Sequence, residues 1–184
     1  LDERQRVYLE LLRDGLDRVA STTRRMLEFA PKDAEPHAFD AVTAIEGAFA
    51  LVKHRCQHEG VTFELQAQDD RPDVHGDAHE IQQVVLNLLL NSLDAISGAG
   101  GAIRASVRGE DDKVLISVAD DGPGMPAELQ PRIFDPFFTM KTRPDASGLG
   151  MFISYSIVQN HGGSMRVESR PDAGFQVFIE LPAA

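Results

Sequence analysis

Val118-Ala119-Asp120-Asp121-Gly122-Pro123-Gly124 is the stretch on which the fold of this chain turns. It follows Val114, Ile116 and Val118, an alternating apolar run that predicts a buried strand. The strand therefore ends on a carboxylate, Asp120, and passes at once into two glycines separated by a proline. A carboxylate on a buried strand, beside a turn whose glycines let backbone come close to a ligand, points to a planar hydrogen-bonding ligand.

Upstream, residues 102–107 alternate in the same way and are joined to the Asp120 strand by an acidic turn at 109–112, which predicts a hairpin. Before it, a helix is expected from about Asp77, its N-cap, to about Ile96. At about 100° per residue, Glu80, Gln83, Asn87, Asn91 and Asp94 share one narrow stripe, and Ile81, Val85, Leu88, Leu89, Ser92 and Ile96 form the opposite, core face. A polar stripe is ordinarily the solvated side of a helix. This one holds two asparagines, which are poor helix formers, and no Lys or Arg. Oxygen-bearing side chains in a row suit a hard cation such as Mg.

Downstream, residues 125–132 read as a short helix with Pro126 in its first turn. Ile133-Phe134-Asp135-Pro136-Phe137-Phe138 follows, with three phenylalanines in five residues, and on its own reads as a local hydrophobic plug. Residues 139–147 are polar and carry a proline, the composition of a mobile loop. Ser147-Gly148-Leu149-Gly150 then opens a helix running to about His161, and small residues there leave backbone N–H groups able to hold phosphate. After Gly162-Gly163, residues 164–169 and 175–181 read as two strands around a turn at 170–174.

Toward the N-terminus, Val61 to Gln66 alternates as a strand, residues 69–72 read as a turn, and a helix capped by Asp40 extends to Glu59, stopped by Gly60. His37 to Phe39 is a candidate short strand. Residues 1–30 carry Leu12, Leu16, Val19, Thr23, Met26 and Ala30 at alternating spacings of four and three, a heptad seam that predicts a bundle or dimer helix. Residues 31–36, with two prolines, read as a linker.

The whole chain bounds these expectations. Its 184 residues fit one domain plus an extra element, and 42% hydrophobic residues suffice for a core. A net charge of −11 argues against general nucleic-acid binding and against an anionic membrane surface. It leaves a nucleotide possible, since one metal ion and one or two lysines neutralise phosphates locally. The single cysteine, Cys56, excludes an internal disulfide and fits a reducing compartment. No run approaches the roughly 18 apolar residues of a membrane span and no signal peptide is visible, so a cytoplasmic location is expected. The chain opens without Met within a helical pattern and is expected to be a piece of something longer.

In this order and spacing, the asparagine stripe, Asp120 with its glycines, the phenylalanine cluster and the Gly-x-Gly helix start resemble the nucleotide-binding domain of the sensor histidine kinases. These sit within the gyrase, chaperone, histidine kinase and mismatch-repair ATPase superfamily. The resemblance covers about residues 37–182, and the Phe-Asp-Pro-Phe-Phe-Thr-x-Lys string looks most like the nitrogen-regulation type. It implies an α+β fold, a two-layer α/β sandwich of the Bergerat type. Its mixed sheet has about five strands with three helices on one face, and one long bundle helix precedes it.

The resemblance also implies roles. His79 to Asn91 looks like the N box, with Asn91 on Mg and Asn87 supporting the metal and phosphate side. Asp120, Gly122 and Gly124 look like the first glycine box, with Asp120 accepting from the adenine amino group; guanine presents a carbonyl there and would be rejected. Phe134 to Phe138 looks like the F box, which puts Phe137 at the nucleotide. Ser147, Gly148, Leu149 and Gly150 look like the second glycine box, and Lys141 lies in a lid spanning about 125–150. Catalytic roles fall to Asn87, Asn91 and Lys141, the cofactors are ATP and Mg, and the reaction is transfer of the γ-phosphoryl to a histidine for relay to an aspartate of a response regulator receiver domain. Residues 1–30 then look like the second helix of the dimerisation and phosphotransfer hairpin. None of the six histidines has the context of a phosphoacceptor, so the partners are ATP or ADP, the protein's own dimerisation domain and a response regulator.

Two departures stand out. Asp94 occupies a position where many histidine kinases carry Lys or Arg, which leaves Lys141 as the expected positive partner of the phosphates. Ser147 replaces the usual Thr and keeps the hydroxyl. Asn87 stands where gyrase-like ATPases place a glutamate to activate water, which favours phosphoryl transfer to protein over hydrolysis. A serine kinase of the anti-sigma type and a nucleotide-binding regulatory module without kinase activity are the alternatives.

Overall fold

The computed structural model describes residues 36–68, 71–96, 98, 100–141 and 146–184. They fall into two units; Glu35–Phe138 with Gly148–Ala184 is the larger, and Thr139–Ser147 belongs to the other. The elements below are those of the larger unit. The bundle helix expected at 1–30 and nearly all of the linker at 31–36 lie outside the described residues.

In chain order the elements are β1 (His37–Asp40), α1 (Ala41–Glu59), β2 (Val61–Ala67), β3 (Asp73–Gly76), α2 (Ala78–Ile96), β4 (Gly101–Glu110), β5 (Lys113–Asp120), a 3-10 segment (Ala127–Arg132), α3 (Gly150–Asn160), β6 (Ser164–Ser169) and β7 (Phe175–Pro182). The expected caps are in place. Asp40 accepts from the Val42 N–H at 2.8 Å, and Gly60 takes the left-handed conformation (φ 68°) that closes α1 on the carbonyls of Cys56 and Gln57.

The main sheet has strand order β2-β4-β5-β7-β6, with β2 and β4 parallel and every other pair antiparallel. Ile103, Ala105, Val107, Val114, Ile116, Val118, Val177, Ile179 and Leu181 alternate onto one face and are almost fully buried. The three helices cover that face, α2 between α1 and α3, with Ile45, Ile81, Leu89 and Leu93 as fully buried contributions. The opposite face is polar and open, with Ser106 and Ser117 hydroxyls 2.8 Å apart and the Arg166 guanidinium over the Phe178 ring. The five-stranded mixed sheet with helices on one face is the α+β sandwich expected from the sequence.

Two elements differ from that expectation. The sequence shows no strand between the turn at 69–72 and the helix cap at Asp77, yet β3 pairs antiparallel with β1 there, Phe39 opposite Val74, as a separate two-stranded sheet. A four-residue strand with one buried apolar side chain is too short to show alternation, and its partner lies more than thirty residues earlier. The short helix expected at 125–132 is a 3-10 segment with none of its residues buried. Pro131 within it has no N–H to donate and crowds the preceding turn, which disfavours α-helix.

Candidate functional site

Period-two alternation carries the buried face of β5 from Val118 to Asp120, so the carboxylate ends under the helices at only 7% exposure. Burial pushes the Asp120 carboxyl above its ordinary range; hydrogen bonds from the Ser92 hydroxyl and the Gly122 N–H pull the other way without cancelling it. The Gly122 N–H meets Asp120 Oδ1 at 3.0 Å. A Cβ at Gly122 would stand 2.9 Å from that same oxygen and 3.2 Å from the Ala95 Cβ, so only glycine leaves the carboxylate accessible there. The neighbouring Asp121 faces away: its two oxygens accept the Ala102 N–H at 2.9 and 3.0 Å and fix the start of β4.

Gly124 has a different duty from Gly122. At φ 64°, its close approach is to the chain's own turn, where a Cβ would collide with the carbonyl oxygens of Arg170 and Gly174. That turn clamps the loop after Asp120. Gly174 donates to the Gly122 carbonyl at 3.1 Å and Asp172 to the Pro123 carbonyl at 2.8 Å, while the Ser169 hydroxyl accepts from the Met125 N–H.

The asparagine stripe runs along α2 beside this loop. Asn87 and Asn91, one helical turn apart, are both half-buried. Asn87 Nδ2 donates to the fully buried Ser154 hydroxyl of α3 at 3.4 Å, and Asn87 lies beside Gly150 at the start of that helix. Asp94, one turn beyond Asn91, accepts from Arg55 Nη2 at 2.7 Å, and Arg55 also holds Glu59 at 2.7 Å. The departure at Asp94 is thus accompanied by a guanidinium from α1. Leu149 is buried at the N-terminus of α3, and Gly148 (φ 65°) lies against the backbone of Phe137 and Phe138.

The three phenylalanines do not form one plug. Phe134 packs on Tyr155 of α3, Phe138 lies beneath the Arg132 guanidinium, and Phe137 is 64% exposed with a positive φ of 65°, unfavourable for a non-glycine residue. Lys141 and Ser147 belong to the smaller unit; Lys141 is half-buried and its N–H donates to Thr139 Oγ1 at 3.1 Å.

The larger unit places Asn87 at the middle of α2 and Asn91 one turn further along it, Asp120 at the end of β5 with Gly122 just after it, and Gly150 at the start of α3. Sequence reasoning did not assign roles to Ser92, Ser154 and Ser169. The first two carry a readable signal, a hydroxyl on an otherwise apolar helix face; Ser169 carries none, because its partners are distant in sequence.

Over residues 76–184 the chain matches the family described as histidine kinase-, DNA gyrase B-, and HSP90-like ATPase. It is 29% identical over 177 residues to sporulation kinase B of Bacillus subtilis (strain 168), covering 96% of this chain and 41% of that protein. It is 30% identical over 176 residues to the signal transduction histidine-protein kinase AtoS of Escherichia coli (strain K12), covering 95% of this chain and 29% of AtoS. The chain thus spans about two fifths or less of these curated relatives. Among solved structures, the nucleotide-free catalytic domain of histidine kinase ThkA superposes with a TM-score of 0.73 at 31% identity, covering 81% of this chain and 96% of that one. ThkA in complex with the response regulator protein TrrA gives 0.75 at 26% identity, over all of this chain and 53% of that one. Full-length ShkA in complex with AMPPNP gives 0.78 at 25% identity, over all of this chain and 40% of that one.

Proposed function

The chain belongs to the histidine kinase-, DNA gyrase B-, and HSP90-like ATPase family, and on that premise we propose that it is the ATP-binding catalytic part of a sensor histidine kinase. It would pass the γ-phosphoryl of Mg-ATP to a histidine of the protein's own dimerisation domain, for relay to a response regulator aspartate. The observation that carries this reading is Asp120: a carboxylate at 7% exposure, held by the Ser92 hydroxyl and the Gly122 N–H, beside a glycine that leaves one edge open. An ionised acid in that setting selects a ligand edge with a donor, as adenine's amino group offers.

The phosphate side is assigned to Asn87, Asn91 and the backbone N–H groups of Gly148, Leu149 and Gly150 at the start of α3. Among the described residues, no three or more His, Cys, Asp or Glu side chains cluster as a metal cage. Two neutral amides suit a hard cation that draws the rest of its shell from phosphate and water, and the site fits Mg on that ground. When bound, Mg would neutralise charge on the transferring phosphoryl group. Asn91 is assigned to the metal, Asn87 to the metal and phosphate side, Lys141 and Ser147 to the phosphates, and Gly122, Gly124 and Phe137 to the nucleotide. Asn87 is no general base, so the chain's residues position and neutralise rather than activate water.

Residues 1–30 are proposed as the second helix of the dimerisation hairpin, joined through 31–36 to the catalytic domain at 37–184. The ThkA complex with TrrA supports a response regulator as the downstream partner. Among the described residues no helix is long and apolar enough to cross a membrane, and a cytoplasmic setting is proposed. The test is Mg-dependent binding of a fluorescent ATP analogue, followed by radiolabelled ATP with a supplied dimerisation domain carrying its histidine. Acid-labile label on that domain supports the kinase. Binding without transfer leaves a regulatory nucleotide module, and absence of Mg-dependent affinity removes the reading.

A further inference from the structure

His161 closes α3 at the end opposite Gly150, and its side chain is 7% exposed. Nε2 lies 3.0 Å from the backbone nitrogen of Asp77, and Nδ1 lies 2.9 Å from the Ile157 carbonyl oxygen. An amide N–H only donates and a carbonyl only accepts, so Nε2 carries the lone pair and Nδ1 the proton. The ring is thus the neutral Nδ1–H tautomer.

The residue it reaches is the cap of the asparagine helix. Asp77 Oδ1 accepts the N–H groups of His79 at 2.7 Å and Glu80 at 3.3 Å. Asp77-x-x-Glu80 has the spacing of a capping box, in which the acid three residues in reaches back to the cap residue's own N–H. Here His161 has taken that N–H, and Glu80 Oε2 stands instead 3.7 Å from Nδ1. Gly76 completes the socket, since a Cβ there would overlap the imidazole. One ring therefore fastens the last turn of α3 to the first turn of α2. The two helices are joined again further along, at Asn87 and Ser154. α3 also buries Ile153, Ile157 and Val158 and packs on α2 and β6, so the ring adds a directional tie to an apolar contact that by itself sets no register.

We propose that His161 is a positioning residue for the phosphate end of the site: by fastening α3 to the cap of α2 it sets the spacing between the Gly148–Gly150 backbone and the Asn87 and Asn91 side chains. This rests on the nucleotide reading above. The adenine end is independent of it, because Asp120 is held by the sheet and by Ser92 near the far end of α2.

The experiment titrates Mg-ATP and, separately, adenosine into the whole chain and four variants, following amide chemical shifts. His161→Ala is expected to weaken Mg-ATP about tenfold while adenosine changes less than about twofold. His161→Gln, whose Oε1 can accept the Asp77 N–H, restores most of the loss. Gly76→Ala reproduces the His161→Ala defect by expelling the ring, and the double variant is no worse than either single one. Should His161→Ala fail to fold, His161→Gln and Gly76→Ala carry the comparison. Equal weakening of both ligands, no weakening, or additive losses at Gly76 and His161 would overturn the proposal. A wild-type chain that binds neither ligand overturns the nucleotide reading itself, a failure visible without any variant.

Discussion

The Ser169 hydroxyl accepts the Met125 N–H at 2.9 Å and donates its own proton to the Gly174 carbonyl at 2.7 Å. One side chain on β6 thereby joins the turn before β7 to the residue at which the chain leaves the Asp120 loop. Gln130 reinforces it, donating to the Ser169 carbonyl at 2.7 Å. Ser169→Ala strands a donor and an acceptor together, and is expected to cost about 1–2 kcal/mol in denaturant unfolding. Nucleotide affinity should fall with it, because the Gly122–Gly124 backbone loses its clamp. Unchanged stability would mean that water replaces the hydroxyl without loss.

Asp120→Asn is expected to separate stability from binding. The folded protein holds the Asp120 proton more tightly than the unfolded chain does, since burial raises this carboxyl. Its ionisation therefore lowers stability as pH rises through the folded pKa, and the cost is absent below the unfolded pKa of about 4. The variant should unfold at a higher temperature than wild type at neutral pH, with the gap closing as pH falls toward that value. ATP affinity should drop at least about tenfold, the amide having lost the charged acceptor. Unchanged affinity would show that adenine sits elsewhere.

Asn91→Ala and Asn91→Asp are expected to lose Mg-dependent phosphorylation of a supplied dimerisation domain while adenosine binding persists. The readout is acid-labile label at saturating ATP, with Mg titrated. Full activity at ordinary Mg would take Asn91 off the metal and leave Asn87 as its protein ligand.

Arg55→Ala removes the guanidinium from Asp94, whose side chain is 12% exposed, and from Glu59, which has a buried oxygen without a partner. Half-buried pairs of this kind are worth about 1–2 kcal/mol when one side is cut. Thermal unfolding should show that loss, and Arg55→Ala with Asp94→Asn should recover part of it, a coupling that a merely solvated pair would not give.

Much of this molecule was legible in one dimension because local rules were not overridden. Alternation found the five strands of the main sheet, 3.6-residue periodicity found α2, the Asp40 cap and Gly60 stop found α1, and Asp77 marked the start of α2 where the structure has it. The same alternation that predicted β5 put Asp120 on its buried face, so the central residue of the candidate site followed from the pattern of a single strand. What the sequence could not give was pairing across distance. β3 exists because β1 lies beside it, and the 3-10 segment is set as much by Gln130 reaching Ser169 as by Pro131.

Tertiary structure alone decided which small and polar residues share a task. Gly122 and Gly124 look alike in Gly-Pro-Gly, yet one leaves room beside a carboxylate and the other lies against two carbonyl oxygens of a distant turn. His161 belongs to no motif, and the N–H that its Nε2 accepts belongs to Asp77, 84 residues earlier. Periodicity is a property of one element, because a helix or strand repeats its own geometry. A hydrogen bond between elements depends on where packing brings two chain segments, and only the folded chain specifies that.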